Sequence, residues 1–569
     1  MKKVLKYLKY YIKESVLGPL FKLLEATLEL IVPLIIAAII DTGIASSDTG
    51  YTVKMCLVLV LLGAVGLAFS VTAQYFAAKA AVGCSARIRH TLFAHVQSLS
   101  HTEMDTLGTS TLITRMTSDV NQVQSGINLT LRLLLRSPFV VFGAMIMAFT
   151  IDWKSALTFT YTIPALAVVI FAIMLVCIPL YKKVQRKLDR TLVITKDNLE
   201  GARVIRAFCN EEAEILEFSK RNGELTATQK FVGRISSLLN PLTYVIINLG
   251  ILLLIHNGAL RVDSGAITQG ELVALYNYML QILVELIKLA NLIINVTKAV
   301  SSAGRIAGVL DVESSITSTG ECKEDAQSDV AVEFSHVSFT YKGASDTSLS
   351  DISFTAKRGE VIGIIGGTGS GKSTLVNLIP RFYDATEGVV RVFGNDVKDY
   401  DPKKLREKIG IVPQKAVLFE GTIRDNMRWG KPDANDEEIL RAVSLAQADD
   451  VLSAKGGLDA NIEEGGSNLS GGQRQRLTIA RALVREPKIL ILDDSSSALD
   501  FATDAKLRAA IKKLDTGTTV FIVSQRSSSI MHADKIIVLD DGIPVGIGTH
   551  DELLSTFSVY REIYDSQFS

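Results

Sequence analysis

The sequence predicts an all-α membrane domain with six membrane-spanning helices and long cytoplasmic helical extensions, followed by a soluble α/β domain. Residues 1 to about 310 contain six long apolar segments, whereas the remainder alternates short apolar strands with amphipathic helices. The 569 residues are 48% hydrophobic, which is high for a purely soluble protein. We therefore expect a membrane domain over residues 1–312, a linker over 313–330 and the α/β domain over 331–569.

Six segments are long enough to cross a bilayer, which requires about 20 mostly apolar residues. They are predicted at Leu17–Ile44, Val53–Ala81, Leu129–Ile151, Ala156–Leu180, Leu238–Leu260 and Leu272–Val296. Basic residues crowd alternate connections, such as residues 182–190, whereas opposite turns, such as Ser46–Tyr51, are short and nearly uncharged. By the positive-inside rule, we expect a multi-pass protein of the plasma (inner) membrane, with both termini and the α/β domain in the cytoplasm.

The two long cytoplasmic connections, Val82–Asn128 and Tyr181–Ser237, keep a helical pattern. This pattern favours stalks, in which membrane helices continue into the cytoplasm and turn back at a tip. The tips are predicted at Thr117–Val120 and Phe208–Glu211, where polar residues interrupt the periodicity. Amphipathic helices that lie on the membrane surface are the alternative.

Polar residues inside the spans form two stripes. Lys22, Glu25 and Glu29 share one face of the first span, because their spacing matches the helical repeat. The sixth span carries the other stripe, which consists of Gln281, Glu285, Lys288, Asn291 and Asn295. Ionisable groups in the hydrocarbon are costly and tend to face a cavity, so the stripes suggest a water-filled substrate pathway. The residues predicted to line it are Glu25, Glu29, Gln281, Glu285, Lys288 and Asn291. Alternatively, neighbouring charges neutralise each other or lie at cytoplasmic depth.

A glycine-rich loop, Gly366–Ser373, follows the apolar run Val361–Ile365 and precedes the helix-like segment Thr374–Ile379. Strand, loop and helix in this order fit the pattern G-x-x-x-x-G-K-[ST] of a phosphate-binding loop. Backbone N–H groups then surround phosphate oxygens, Lys372 adds positive charge, and Ser373 holds Mg²⁺. The predicted nucleotide contacts are Gly366, Gly367, Thr368, Gly369, Ser370, Gly371, Lys372, Ser373 and Thr374. The chain is therefore predicted to bind a nucleoside triphosphate.

Later strands of the predicted sheet end in polar residues. Gln414 follows the strand Ile409–Pro413, and Asp493 follows the strand Ile489–Leu492. Ligands of open α/β sheets bind where strands end, so Asp493 is predicted to bind Mg²⁺ through water. A further buried strand, Val520–Val523, leads to polar residues. The aromatic Tyr341, ahead of the phosphate loop, is either a stacking platform for a base or a packing residue.

A second anion site is predicted at Leu469-Ser470-Gly471-Gly472-Gln473, called LSGGQ below, which opens a helix. The free N–H groups and the dipole at a helix start attract phosphate. One nucleotide does not require a second such site. The LSGGQ segment is therefore expected to serve a phosphate on another chain.

In order, these motifs resemble the nucleotide-binding domain of the ATP-binding-cassette (ABC) family. The resemblance rests on the phosphate loop, Gln414, LSGGQ, ILILDD at 489–494, SALD at 497–500 and VSQR at 523–526. With six spans and stalks ahead of it, the chain resembles half of an ABC exporter of the bacterial multidrug type. The resemblance implies an α/β P-loop fold and a second half-transporter as partner, with two ATP molecules sandwiched head to tail. Each ATP would lie between the phosphate loop of one chain and the LSGGQ segment of the other.

The resemblance also implies roles for single residues. Tyr341 would stack on adenine, Gln414 would contact Mg²⁺ and couple to the membrane domain, and the two stalk tips would dock on nucleotide-binding domains. The residues implied at the ATP of the partner are Ser470, Gly471, Gly472, Gln473 and Asp500. The metal ligands implied are Ser373, Gln414 and Asp493. ATP and Mg²⁺ are thus the expected substrate and metal ion.

The chain departs from the family at the two residues predicted to be catalytic, Asp494 and Gln525. The family has glutamate at the first position, as general base for the attacking water, and histidine at the second. Aspartate is shorter by about 1.5 Å, and a misplacement of about 1 Å can cost about a hundredfold in rate. Gln525 can hydrogen-bond the γ-phosphate but cannot take up charge. We therefore expect this chain to bind ATP and hydrolyse it slowly.

The leading interpretation is an ATP-driven exporter of amphipathic molecules, namely a drug, lipid or peptide. This chain would be the subunit of a heterodimer that carries the degenerate site, while its LSGGQ segment completes the active site of the partner. A homodimer in which Asp494 suffices as base is an alternative, as is an ATP-gated channel or regulatory membrane subunit. The balance of 60 basic and 60 acidic residues argues against a nucleic-acid partner.

Overall fold

The computed structural model describes residues 6–317, 328–512 and 517–568. The chain forms two compact units. The first comprises Met1–Gln97 and Thr109–Val312, and the second comprises Ser98–Gly108 and Glu313–Ser569. Most of the predicted linker, residues 318–327, lies outside the described residues.

Six helices in the described residues are long and apolar enough to cross a membrane. They run over Lys6–Ile44, Thr49–Ser98, Thr109–Ile151, Trp153–Glu200, Glu211–Asp263 and Gln269–Leu310. Their regular α-helical stretches are α1 (Ile12–Ala38), α2 (Thr49–Ser98), α4 (Thr109–Thr114), α5 (Val120–Leu133), α6 (Arg136–Ile151), α7 (Trp153–Glu200), α9 (Glu211–Ser237), α10 (Leu239–Asp263) and α11 (Gln269–Leu310), with the short helices α3 (His101–Leu107) and α8 (Ala202–Ala207) between them.

The prediction of six apolar helices is confirmed, since each predicted span lies inside one of these helices. The second helix has 50 residues and the fourth has 48, far more than the roughly 20 that a bilayer requires. Continuous helices of this length favour stalks over separate amphipathic helices. The second predicted tip is confirmed as a helix break, because α8 ends at Ala207 and α9 begins at Glu211.

The first predicted tip is wrong. Thr117–Val120 lies within the third long helix, which passes through a π-helical turn at Arg115–Asp119. The Thr117 hydroxyl donates to the carbonyl of Ile113 at 2.7 Å, and the Asp119 carboxylate accepts from the guanidinium of Arg305. These polar side chains therefore find partners without ending the helix. In sequence, the break between the second and third long helices instead contains α3, and Gly108 follows α3 with a positive φ of 74° that suits glycine.

The second unit contains two main sheets. The strands are β1 (Val330–Phe339), β2 (Leu349–Lys357), β3 (Val361–Gly366), β4 (Glu387–Val392), β5 (Asn395–Asp396), β6 (Ile409–Val412), β7 (Gly421–Thr422), β8 (Asn461–Ile462), β9 (Ile489–Asp493), β10 (Thr519–Val523), β11 (Lys535–Asp540) and β12 (Ile543–Gly548). One sheet has the order β12-β11-β3-β10-β9-β6, and the other has the order β2-β1-β4-β5. In the first, all pairs except β11–β12 are parallel.

Helices complete this α/β unit. They are α12 (Lys372–Leu378), α13 (Pro402–Glu407), α14 (Ile423–Arg428), α15 (Asp436–Leu445), α16 (Asp449–Lys455), α17 (Gly471–Leu483), α18 (Phe501–Lys512), α19 (Ser527–Ile530), α20 (His550–Thr556) and α21 (Ser558–Phe568). The central strands β9 and β10 are buried along their whole length, as continuous apolar runs in a parallel sheet require. The predicted α/β class is confirmed. The carboxyl ends of β3, β6, β9 and β10 share one edge of the sheet, where a ligand site is expected.

Helix α3 packs within the second unit against Phe382 and Tyr383. The His101 ring stacks on Phe382 with ring centroids 4.3 Å apart. The Tyr383 hydroxyl donates to Asp105 Oδ2 at 2.7 Å. Burial, and then the positive charge of Arg406, lower the pKa of His101, so this imidazole is neutral at physiological pH. Segment 98–108 thus belongs to the second unit even though it separates two long helices in sequence.

Candidate nucleotide-binding site

The phosphate loop joins the end of β3 to the start of α12, as predicted. Gly369 and Gly371 have φ values of 87° and 89°, a left-handed conformation that glycine adopts without the steric cost of a Cβ atom. The Lys372 ammonium donates to the carbonyls of Gly366 at 2.9 Å and Gly367 at 2.5 Å. The lysine therefore curls back over the loop, where the positive end of a helix and free N–H groups favour an anion.

Burial lowers the pKa of Lys372, and the carboxylates of Asp494 and Asp493 act against this effect. The hydrogen-bond acceptors of the ammonium are uncharged, namely the carbonyls of Gly366 and Gly367 and the hydroxyl of Ser370 at 3.4 Å. A polyphosphate at the loop would supply the negative charge that a buried ammonium lacks. The loop is therefore built to gain an anionic ligand.

Three oxygen-bearing side chains fit the predicted Mg²⁺ site. The Ser373 hydroxyl donates to Asp493 Oδ1 at 2.9 Å, and Asp493 stands at the buried end of β9. Gln414, just after β6, donates through Nε2 to Asp494 Oδ2 at 3.3 Å. Hydroxyl, carboxylate and amide oxygens are the ligands that Mg²⁺ prefers. The donor set thus fits this ion.

Asp494 and Gln525 lie in the same cavity as the phosphate loop. This cavity has a volume of about 430 Å³, and its lining includes Lys372, Ser373 and Asp493. The backbone N–H of Asp494 donates to the carbonyl of Val523 at 3.0 Å, which ties the end of β9 to the strand that leads to Gln525. Asp494 has a left-handed φ of 46°, which is uncommon for a residue other than glycine. The two residues predicted to be catalytic therefore face the same space as the phosphate-binding groups.

Further residues of this cavity come from two turns that carry no recognised motif. They are Asp346, Thr347 and Ser348 before β2, and Asp541 and Gly542 between β11 and β12. The N–H of Ser350 donates to the carbonyl of Gly542 at 2.9 Å, which brings the two turns together. Tyr341 also lines the cavity, and its hydroxyl lies 3.0 Å from Thr374 Oγ1. Base stacking by Tyr341 stays a prediction.

The LSGGQ segment lies outside this cavity, at the start of α17. The Ser470 hydroxyl oxygen accepts from the N–H of Gln473 at 3.2 Å, and the Gln473 side chain accepts from the N–H of Ser470 at 2.9 Å. This reciprocal capping box stabilises the helix start by satisfying the N–H groups of Ser470 and Gln473, a role that the sequence analysis did not predict. Gly471 is exposed, and among the described residues no atom outside the local helix backbone lies within 4 Å of the place that a Cβ would occupy.

Asp500 also lies outside the lining of this cavity. Its carboxylate accepts from the N–H and hydroxyl of Thr503 at 2.9 and 2.8 Å. These hydrogen bonds, from the Thr503 N–H first, lower the pKa of Asp500. It remains a prediction that Asp500 and the four residues Ser470, Gly471, Gly472 and Gln473 contact a nucleotide of another chain.

In the membrane unit, the predicted polar stripes form ion pairs. Lys22 contacts Glu25 at 2.6 Å. The buried Arg136, which the sequence analysis missed, contacts both Glu29 and Glu285 at 2.6 Å. Lys288 contacts Glu285 at 2.8 Å. These contacts favour the alternative in which the charges neutralise each other.

A cavity of about 750 Å³ in the membrane unit has a different lining. It includes Asn291 and Asn295 from the sixth span, together with Asp119, Gln185 and Arg305. Of the six residues predicted to line a substrate pathway, Asn291 alone lines this cavity. The other five, Glu25, Glu29, Gln281, Glu285 and Lys288, lie outside its lining. Substrate contact by the stripe therefore stays a prediction.

Replacing Asp493 by asparagine should stabilise the nucleotide-free chain and weaken its Mg²⁺-dependent ATP binding. Burial raises the pKa of Asp493, so the folded chain binds this proton more tightly than the unfolded chain. The ionised carboxylate therefore lowers stability as pH rises through its folded pKa. Asparagine removes the charge and keeps an acceptor for Ser373. We expect Asp493→Asn to raise Tm by about 2 °C near pH 8 and by less near pH 4.

The measurement is thermal unfolding of the full chain in lipid nanodiscs without nucleotide, followed by ATP titration with Mg²⁺. We expect ATP affinity to fall by about tenfold or more. Asp541→Asn, in an exposed carboxylate of the same cavity, is the matched control. A lower Tm for Asp493→Asn near pH 8 would contradict this account of the buried charge.

Comparison with known proteins places these motifs in a family. A family model described as "ABC transporter transmembrane region" matches residues 15–286, and one described as "ABC transporter" matches residues 349–497. The chain is 37% identical over 569 residues to the uncharacterised ABC transporter ATP-binding protein YfiB of Bacillus subtilis, covering 100% of this chain and 99% of YfiB.

It is also 32% identical to the putative multidrug export ATP-binding/permease protein YgaD of the same organism, covering 100% of this chain and 99% of YgaD. A solved structure of a bacterial Atm1-family ABC exporter with ATP bound superposes with a TM-score of 0.81 at 23% identity, covering 99% of each chain. This structure shows a shared fold. Full-length identity above 30%, two matching family models and the geometry of the phosphate loop agree. The chain belongs to the ABC transporter family and is an ATPase with the fold of an ABC exporter.

Proposed function

We propose that this chain is one subunit of a heterodimeric ABC exporter, in which it carries the catalytically degenerate ATP site. Its own phosphate loop holds ATP and hydrolyses it slowly, while its LSGGQ segment completes the fast site on the partner. The exporter moves amphipathic molecules, a drug, lipid or peptide, out through the plasma (inner) membrane by alternating access. Both termini and the nucleotide-binding domain face the cytoplasm.

One observation carries the proposal: Asp494 and Gln525 share a cavity with an intact set of phosphate- and Mg²⁺-binding groups. Lys372, Ser373 and Asp493 are present with hydrogen bonds that hold them at the loop. By contrast, the Asp494 carboxylate accepts from Gln414. Its side chain is one methylene shorter than the glutamate that the family uses as general base. This arrangement supports tight binding together with slow hydrolysis.

The residues act on ATP in separate ways. The N–H groups of the loop and Lys372 bind and orient the β- and γ-phosphates. Mg²⁺, when bound by Ser373, Gln414 and Asp493, would neutralise phosphate charge. Asp494 would have to take a proton from the attacking water, and Gln525 would hydrogen-bond the γ-phosphate without taking up charge. A proton acceptor at the wrong distance and a neutral donor in place of an imidazole should both slow the reaction.

The cargo proposal rests on a relative of this chain and on a cavity in the membrane unit. YgaD is described as a putative multidrug exporter, which supports an amphipathic cargo here. The cavity lined by Asn291, Asn295 and Arg305 contains hydrogen-bonding groups as well as apolar side chains such as Met174 and Ile178. A mixed lining of this kind suits a molecule with both polar and apolar parts.

The proposal predicts an asymmetric response to mutation. A tag on this chain should purify the partner half-transporter, which should carry glutamate and histidine at the corresponding positions. In that complex, Asp494→Ala should change steady-state ATPase activity by less than about twofold, whereas alanine in place of the partner's glutamate should reduce it by about a hundredfold or more.

The measurement is the ATPase activity of the complex in lipid nanodiscs. Lys372→Ala, which removes the lysine of this chain's phosphate loop, is the control for nucleotide binding by this chain. Equal losses from the two substitutions would refute the asymmetry. Purification of this chain with only a second copy of itself, together with loss of activity in Asp494→Ala, would instead indicate a homodimeric exporter with a slow ATPase.

A further inference from the structure

The last helix, α21, reaches the segment that carries Gln525. A single side chain, Gln567, makes three hydrogen bonds there. Its Oε1 accepts from the N–H of Ser527 at 2.8 Å and from the hydroxyl of Ser527 at 2.9 Å. Its Nε2 donates to the carbonyl of Gln525 at 2.8 Å. The side-chain amide therefore bridges the backbone on both sides of Arg526.

This bridge fixes the orientation of the amide, because a backbone N–H requires an acceptor and a carbonyl requires a donor. It also fixes the backbone that presents Gln525. Ser527 is fully buried at the start of α19, whereas Gln525 is exposed at the ATP cavity. Arg526, between them, has contacts of its own: its N–H donates to Ser524 Oγ at 2.9 Å, its carbonyl accepts from the N–H of Ser529 at 3.1 Å, and its guanidinium lies 5.1 Å from the centre of the Phe501 ring. Gln567 adds to these contacts a hydrogen bond on the carbonyl of Gln525 itself.

Helix α21 is firmly placed at this position. Tyr560 is fully buried, and its hydroxyl lies 2.7 Å from Nδ1 of His550. Ile563 packs against the same core. Residues 560, 563 and 567 are spaced by three and four, which puts them on one face of a helix. Tyr560 therefore anchors the helix in a position where Gln567 contacts the segment that carries Gln525.

We propose that Gln567 is a positioning residue, which holds Gln525 where its amide can contact the terminal phosphate of ATP. Gln567 lies outside the lining of the cavity that holds Gln525, so it would act through Gln525 rather than on the nucleotide directly. The inference rests on the proposed role of Gln525. It predicts that α21 sets how well this site distinguishes ATP from ADP, because only ATP has the phosphate that Gln525 would contact.

The test measures nucleotide preference at this chain in the assembled transporter in lipid nanodiscs. The chain is photolabelled with 8-azido-ATP in the presence of Mg²⁺, and unlabelled ATP or ADP competes for the label. Gln525→Ala should lower the preference for ATP over ADP by about tenfold. Gln567→Ala should lower it by about three- to tenfold. The double variant should match Gln525→Ala, because both changes remove the same contact.

Two further variants keep the test decisive. Gln567→Glu keeps an acceptor for Ser527 but loses the donor to the Gln525 carbonyl, so it should also lower the preference. Ser566→Ala, at a neighbour whose hydroxyl donates to the carbonyl of Ile563 within α21, should leave the preference unchanged. An unchanged preference in both Gln567 variants, with a loss in Gln525→Ala, would overturn the inference and leave the proposed role of Gln525 standing.

Other outcomes would also overturn the inference. An equal loss of ATP and ADP affinity in the Gln567 variants would show a general loosening of the site rather than positioning of Gln525. An unchanged preference for ATP over ADP in Gln525→Ala would show that Gln525 does not contact the terminal phosphate. Gln567 could then not act by positioning Gln525.

Discussion

Replacing Asp494 by glutamate and Gln525 by histidine together should raise ATP hydrolysis at this chain's own phosphate loop by about a hundredfold. Glutamate extends the carboxylate by about 1.5 Å, and the cavity of about 430 Å³ at this position has room for one more methylene. Histidine can take up charge that Gln525 cannot. The backbone of both positions is already held, by the Asp494–Val523 and Gln525–Gln567 hydrogen bonds.

The measurement is single-turnover hydrolysis in the complex after the partner's own glutamate has been replaced by glutamine, so that only this site can act. Each single variant should give part of the gain. Adding Lys372→Ala should abolish it, which ties the activity to this phosphate loop. If the double variant binds ATP normally and stays as slow as the unmodified chain, the degeneracy does not reside in these two residues.

Replacing Gly471 by glutamate should reduce ATPase activity of the complex by about a hundredfold, without weakening ATP binding to this chain. Gly471 is exposed at the start of α17, and no atom of the described chain outside the local helix backbone lies within 4 Å of a Cβ built there. A carboxylate at a helix N-terminus is also favourable for the helix. The substitution should therefore fold normally and act only on a phosphate that approaches from the partner. Gly472 is less suitable, because its Cβ would lie 3.0 Å from the carbonyl oxygen of Ala498.

Gly223→Glu is the matched control. Gly223 is an exposed glycine in α9, and in the described part of the chain no atom beyond the local helix backbone lies within 4 Å of a Cβ built there. It should leave ATPase activity unchanged. Steady-state ATPase activity and photolabelling of this chain are measured on the same preparations. Normal ATPase activity in Gly471→Glu would mean that the LSGGQ segment does not complete a site on another chain.

Much of the fold was predictable because the signals are local. Six apolar segments stand out by length alone, and each lies in one helix. The phosphate loop was predictable because glycine, lysine and serine at fixed spacing between a strand and a helix form a phosphate-binding site. Asp493, Asp494 and Gln525 were predictable as neighbours because parallel strands bring their carboxyl ends to one edge of a sheet.

The features that were not predicted depend on contacts between residues far apart in sequence. Arg136 pairs with Glu29 and Glu285 across three spans, and a single arginine within the third predicted span gives no hint of such partners. Polar residues at Thr117–Val120 looked like a helix break, but Asp119 finds Arg305 and the helix continues. Gln567 lies 42 residues from Gln525, so no local pattern links them.

The most direct test of the central claim compares the nucleotide held by each chain. The complex is incubated with labelled 8-azido-ATP and Mg²⁺, cross-linked by light, and separated into its two chains. Our account predicts that the label on this chain remains mostly ATP while the label on the partner has become ADP. Conversion to ADP on this chain at the rate of the partner would contradict the account.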